Sequence, residues 1–367
     1  MLEGAGRRIA SGIALAALVL VLVLGLEAGV SAGQAPRIIF TGSEDGIHTR
    51  LRSTDLNGNA IQLSADAEPF ATINGGLAAF TRHHRRNIFA SDVVVEDAAT
   101  GDRVHKVSDA RYPLIFGGGT ALLFLPDNNG TEAAGDRDEF VDSLWYRDLV
   151  SGQELRLADL HDLDPDLQVL HLAASPDAPQ VAFTHGNDAF LFEWNIWVSN
   201  VNGTGLQQLT TNDRSLYPSF SPDGQTLAFT HFNPDRRCSG SVHLMDADGS
   251  NARRLAAGTC EAILFRPIWL DDQTLVVWRW ERTVRGFNRA AGLVTISVQA
   301  GEVLDEIVSG QVNDFAVARE AGLIAFRMRN SRIAVHDVMI GDTSRVPGGR
   351  EIPLGHLHVD GSLELAY

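Results

Sequence analysis

The residues whose types and spacing could do chemistry fall into three small groups. In "HDLDPDL" the carboxylates Asp162, Asp164 and Asp166 alternate through what reads as a loop between two repeats. Oxygen ligands so spaced can gather around Ca2+, but the Gly of an EF-hand turn is missing, which favours a solvated acidic loop. Ca2+ is the only cofactor suggested; otherwise none is implied. His356 and His358 stand two apart on a predicted strand, so both point to one face. A transition-metal site there needs a third ligand from another part of the fold, and the alternative is two polar residues lining a wet channel. Cys238 and Cys260 are the only cysteines, and an even pair in an exported chain reads as a disulfide. No G-x-S-x-G elbow, H-E-x-x-H pair, Walker loop or dinucleotide fingerprint occurs. The nearest imitation, Gly42-Ser43-Glu44-Asp45-Gly46, has the wrong spacing and a turn-like context. No catalytic residue is assigned.

The elements that must carry these residues repeat along the chain. "VHLMDADGSNARRLAAG", from Val242, is an alternating strand, a Gly-bearing turn and a second strand. The same layout begins at Thr49, Val93, Leu144, Ile196, Val294 and Ile333, with turn glycines at Gly58, Gly101, Gly152, Gly203, Gly249, Gly301 and Gly341. The glycines are 40 to 52 residues apart, the period of a propeller built from one four-stranded blade per repeat. A second hairpin recurs between them. In "YPSFSPDGQTLAFTHF" the strand at Tyr217–Phe220 turns through Ser221-Pro222-Asp223-Gly224 into Thr226–Thr230. Weaker copies begin at Glu68, Tyr112, Leu170, Arg266 and Asn313. Such strands leave Phe220, Leu227 and Phe229 bare on a lone sheet, so blades must stack face to face. The expectation is an all-β single propeller of seven blades, with six or eight the neighbouring counts. "GHLHVDGSLELAY", with a degenerate Asp360-Gly361 turn, should pair beside "PRIIFTG" to close the ring.

The strings "PSFSPDGQTLAF" and "VHLMDADGSNARRL" resemble the TolB-type repeat, a WD40-like (PD40) propeller repeat. The resemblance is close at Pro218 to Phe229 and Val242 to Leu255, fair at Asp177 to Leu209, and looser over Arg37 to Tyr367. It implies a periplasmic or secreted propeller used in protein–protein contact. TolB itself has a smaller α/β domain before its propeller, whereas here the leader is expected to run straight into the blades. The repeat also looks like that of prolyl-oligopeptidase-like enzymes and of some pectic-oligomer lyases.

The leader agrees with export. "MLEGAGRR" is basic, Ile9 to Leu26 carries no charge, and Val30-Ser31-Ala32 offers a cleavage point. Residues 1–32 thus read as a signal peptide, or as an N-terminal anchor if uncleaved, and 36–367 as the propeller. The chain has 367 residues and a net charge of −16; with no basic stripe, nucleic acid is not an expected partner, and membrane contact is confined to the leader. The adjacent His83-His84 pair, beside Arg82, Arg85 and Arg86, reads as a solvated loop patch.

Long connections gather on one face of the ring, and loops on a rigid scaffold commonly carry binding residues. Those here hold Phe190, Phe192, Trp194, Arg236, Arg237, Trp280, Arg282, Arg285 and Arg289, of which Trp and Arg are typical hot-spot types. The competing reading has the aromatics packing loops onto their own blades. The function expected is a non-catalytic exported scaffold that binds a protein or peptide on this face. Alternatives are a metal-assisted lyase or lactonase on a sugar-type substrate, and a membrane-tethered sensor ectodomain.

Overall fold

The computed structural model describes residues 37–43, 50–63, 67–84, 87–126, 143–159, 168–176, 178–187, 193–232, 240–259, 261–282, 288–309, 312–319, 322–328, 333–337, 350–351 and 358–366. These form seven antiparallel sheets of four strands each. Blades 2 to 7 take consecutive segments: 67–108, 110–159, 168–208, 215–256, 262–309 and 312–351. Blade 1 joins the two halves of the chain. Its inner strand, His358–Ala366, pairs with Arg37–Ser43, placing Ile38 opposite Leu365 and Ile39 opposite Glu364. Each inner strand touches the next all the way round, from blade 7 back through blade 1 to blade 2. The fold is a closed seven-bladed β-propeller.

Side-chain alternation builds the interfaces. Phe220, Leu227, Phe229 and Met245 of blade 5 interlock with Ala173, Ala182, Ile196 and Val198 of blade 4, all of them buried. Comparable clusters fill the interfaces of blades 1 and 2, 2 and 3, 3 and 4, 5 and 6, and 6 and 7. Each blade therefore completes its neighbour's core, as the burial of a two-faced sheet demands.

Turn chemistry fixes the registers. Ser221 closes the inner hairpin of blade 5: its carbonyl accepts from Gly224 N–H at 2.9 Å, and its Oγ accepts from Thr226 N–H at 2.9 Å. Gly224 sits at φ 67°, in the left-handed region where a Cβ is penalised. In the outer hairpins Gly58, Gly101, Gly152, Gly203, Gly249 and Gly301 hold φ between 70° and 88°.

Four details depart from the sequence reading. Asp360-Gly361 is no turn; it lies inside His358–Ala366, where the register jumps between Phe40 and Gly42, so the extra residues form a bulge. The turn of the blade 7 outer hairpin expected at Gly341 lies outside the described residues. That hairpin's last strand is Arg350–Glu351, paired with Ala334 and Val335, and 338–349 intervenes; Pro347 in that span can donate nothing to a ladder. His83 and His84 end the strand Leu77–His84 rather than lying in a loop. The connection at Arg85–Arg86 is consequently short, because Asn87–Asp97 starts at once.

Removing the closing strand tests the ring. A chain ended after residue 357 should leave Ile38, Ile39 and Phe40, all buried in the intact protein, on an open sheet edge. The expected result is a fall of roughly 10 °C or more in Tm and new proteolysis at the edge. An unchanged melting curve would refute the closure.

Candidate functional site

The inner strands of four consecutive blades share one irregularity. Between Arg111 and Leu114, Leu170 and Ala173, Leu216 and Ser219, and Phe265 and Ile268, two residues bulge from the ladder. The first residue of each bulge is left-handed: Tyr112 at φ 51°, His171 at 49°, Tyr217 at 57° and Arg266 at 53°. For side chains with a Cβ this costs about 1–3 kcal/mol each, and such strain gathers at functional positions. The second residue is Pro113, Pro218 or Pro267 in three of the four, which has no N–H to lose from the ladder. Threonines of the preceding blade hold two bulges in place: Thr81 Oγ1 accepts from Tyr112 N–H at 3.0 Å, and Thr230 Oγ1 from Arg266 N–H at 2.8 Å.

Three of the bulged residues, His171, Tyr217 and Arg266, join a cluster that spans blades 4 to 7. His171 lies against Tyr217, ring centroids 4.0 Å apart, and Tyr217 against Phe265 at 6.2 Å. Phe265 stacks on Trp278 at 5.1 Å and meets the edge of Trp280 at 4.9 Å. Arg266, 1% exposed, is held by three features of blade 7 and one of its own blade 6. Its Nη1 donates to Asp314 Oδ1 at 2.6 Å, its Nη2 to the Phe315 carbonyl at 3.0 Å, and its guanidinium lies 4.8 Å from the Phe315 ring centre. The Trp278 ring flanks it at 5.5 Å.

The polar atoms of this cluster are undersupplied. Both ring nitrogens of His171, Arg266 Nε, Trp278 Nε1 and Trp280 Nε1 are buried and make no hydrogen bond among the described residues. Burial drives the His171 pKa down to about 3, helped by the Arg266 charge, so the ring is neutral with one N–H and one bare acceptor. The set is thus rich in N–H donors and framed by aromatic faces, and suits a ligand that offers oxygen acceptors.

The structure sorts the residues singled out from sequence. Trp280 belongs to the cluster, half-buried near the end of the strand Thr274–Arg282. Trp194 is 1% exposed on the strand Glu193–Asn200, with its backbone N–H donating to the Asp213 carbonyl at 3.0 Å. Arg282 and Arg289 lie on adjacent strands near Trp280, with Trp280 opposite Ala290 and Arg282 opposite Asn288. His358 opens the closing strand, opposite Ser43. Phe190, Phe192, Arg236, Arg237, Arg285, Asp162, Asp164, Asp166, His356, Cys238 and Cys260 lie outside the described residues. Residues 1–36, with the leader, do so too; among the described residues no helix is long and apolar enough to cross a membrane.

His171, Tyr217, Arg266, Trp278 and Asp314 were missed from sequence. The available signal was the recurrence of Tyr-Pro, His-Leu, Tyr-Pro and Arg-Pro at one phase of the repeat. The framework position is shared while the residue before it changes type, as expected where a scaffold varies its display.

No family model matches the chain, and no curated protein matches it in sequence. Solved structures do share its fold. Tricorn protease superposes over 91% of this chain at 12% identity and a TM-score of 0.60; the chain spans 37% of that protein's length. An oligogalacturonate lyase in complex with manganese matches over 80% of this chain and 82% of its own, at 15% identity and a TM-score of 0.56. TolB from Acinetobacter baumannii matches at 16% identity over 77% of this chain and 65% of that one, with a TM-score of 0.46, too loose to carry an argument. At such identities the likeness concerns architecture alone: the chain is a β-propeller, an architecture shared by enzymes and binding proteins.

Proposed function

We propose that this chain is an exported, non-catalytic propeller, with residues 1–32 as its leader or anchor, that captures a protein or peptide partner on the end of the ring bearing Trp280. One observation carries this reading. Trp280 stands half-buried at a strand end, against Phe265 and Trp278, with its indole N–H unmatched. A peptide offers what that position lacks, carbonyl oxygens together with side chains that pack on aromatic faces. Arg282 and Arg289 lie on the paired strands at that end of blade 6, and Arg285 falls between them in the sequence.

Crosslinking of the exported protein to its neighbours, followed by binding of the purified partner, tests the proposal. The double variant Trp280→Ala/Arg285→Ala should raise Kd about 30-fold or more, the range of a lost hot spot. Because Trp280 also packs in the blade, the double variant's melting curve is recorded alongside, and Arg285→Ala alone should still weaken binding severalfold. Undiminished binding by a folded double variant would overturn the reading.

A further inference from the structure

Blade 2 carries a charge cluster with the opposite balance to several ion pairs on other blades. The ion pairs of Arg147, Arg156, Arg266 and Arg279 each join one arginine to one or two carboxylates. On blade 2 three basic side chains share a single carboxylate oxygen. Asp92 Oδ2 lies 2.9 Å from Lys106 Nζ, 3.0 Å from His84 Nε2 and 3.6 Å from Arg82 Nη2. The sheet dictates the meeting. Arg82 is directly opposite Asp92 in the ladder, His84 follows two residues on along the same strand and face, and Lys106 reaches in from the third strand of the group.

Burial and exposure divide the roles. The Asp92 side chain is 3% exposed, whereas Arg82, His84 and Lys106 are 27%, 39% and 39% exposed. Burial alone would push the Asp92 carboxyl up, but hydrogen bonds and charge from Lys106 and His84 outweigh it and hold it below its ordinary value. Asp92 is therefore a fixed anion at pH 7. It gathers three basic heads within a few ångströms of one another and neutralises only one of them. With His84 neutral the group carries a formal charge of +1, and with His84 protonated +2, within a chain of net −16. Lys106 is the only lysine of the sequence. Repulsion among the clustered heads is a standing cost that solubility does not require, and an incoming anion relieves it.

We propose that Arg82, His84 and Lys106, organised by Asp92, form a binding site for a carboxylate side chain on an acidic peptide segment of a partner. The three heads lie close enough together to serve one carboxylate, and charge-assisted hydrogen bonds to exposed, pre-placed donors are the stronger kind. The acidity of the remaining chain gives selectivity: an acidic segment is repelled elsewhere and accepted here. The site stands on blade 2, apart from the aromatic cluster of blades 4 to 7, and does not depend on the function proposed for that cluster.

The probe is a fluorescent octaglutamate peptide titrated against the full chain at low salt, with octaglutamine as control. Binding should be seen for the glutamate peptide only, and should weaken as salt rises. Lys106→Gln and Arg82→Gln should each raise its Kd about tenfold, the scale of one lost charge-assisted contact. Arg253→Gln on blade 5 removes the same unit of charge and should leave Kd unchanged. Equal weakening by Arg253→Gln would reduce the effect to net charge and overturn the site. So would equal binding of octaglutamine, or free glutamate binding as tightly as the peptide, which would make it a small-anion site. A circular dichroism melt of each variant confirms that the blade remains folded.

Discussion

Replacing Arg266 with methionine is expected to destabilise the protein by about 3–5 kcal/mol, the usual cost of stranding one member of a buried ion pair. Arg266 and Asp314 are each 1% exposed, and the guanidinium also serves the Phe315 carbonyl. Without Arg266, the Asp314 carboxylate would lose its buried guanidinium partner while staying in a dry environment, where the Phe315 N–H donates to it at 2.8 Å. The bond crosses from blade 6 to blade 7, and the backbone N–H of the same arginine is tied to Thr230 of blade 5, so one residue fastens three blades. Asp314→Leu alone should cost a similar amount. The double variant Arg266→Met/Asp314→Leu should recover most of the loss, because an apolar pair of similar volume strands no charge. Denaturant unfolding of the three variants checks this; single substitutions costing under about 1 kcal/mol would mean that the pair is far wetter than its burial indicates.

Acidification from pH 6.5 to 4.5 should weaken the fold through a buried histidine. In the unfolded chain His171 takes up its proton near 6.5, whereas in the fold burial and Arg266 hold its pKa down to about 3. Falling pH through that interval favours the unfolded chain, which binds the proton the folded chain refuses. Above pH 6.5 both states hold a neutral ring and the contribution is flat. The slope approaches about 1.4 kcal/mol per pH unit, so His171 alone should remove about 2–3 kcal/mol between pH 6.5 and 4.5. His243, lowered to about 4 chiefly by burial and then by the charges of His231 and Arg254, acts in the same direction. The difference between wild type and His171→Asn isolates the first term, and asparagine tolerates the left-handed backbone at that position better than most residues. Urea midpoints measured from pH 7.5 to 4.5 should converge for the two proteins as the pH falls. Parallel curves would show that His171 gains a proton in the fold.

The propeller was legible because its signals are local and repeated. Ser221-Pro222-Asp223-Gly224 specifies its turn within four residues, and the alternation of Leu227 and Phe229 announces a buried face without reference to the rest of the chain. The closing strand could also be read, since one strand was lacking beside Ile38 and Ile39. The central cluster was not legible, for a reason of geometry. A bulge adds a residue and breaks the period of two, so Arg266 and His171 look like solvent-facing positions in otherwise apolar strands. Arg266 is buried because of Asp314, 48 residues away, and no local pattern encodes that partnership. His84 likewise resembled a loop residue until the ladder set it beside Asp92. Trp194 shows the converse error. An aromatic in a segment rich in polar and aromatic residues suggested display, yet its strand turns it inward.

The pairing of Arg37–Ser43 with His358–Ala366 bears on the order in which the parts of the propeller can fold. Blades 2 to 7 can each condense from contiguous residues, but the two parts of blade 1 must find one another across the whole of the intervening propeller. Such distant partners make the final step slow, and until it occurs the folding molecule is an open arc with a sticky, hydrogen-bond-hungry border at Ile38–Phe40. Rejoining the termini through a linker and cutting elsewhere, at the tip carrying Gly152, would let that border be covered early, and should speed refolding while leaving the finished circle unaltered.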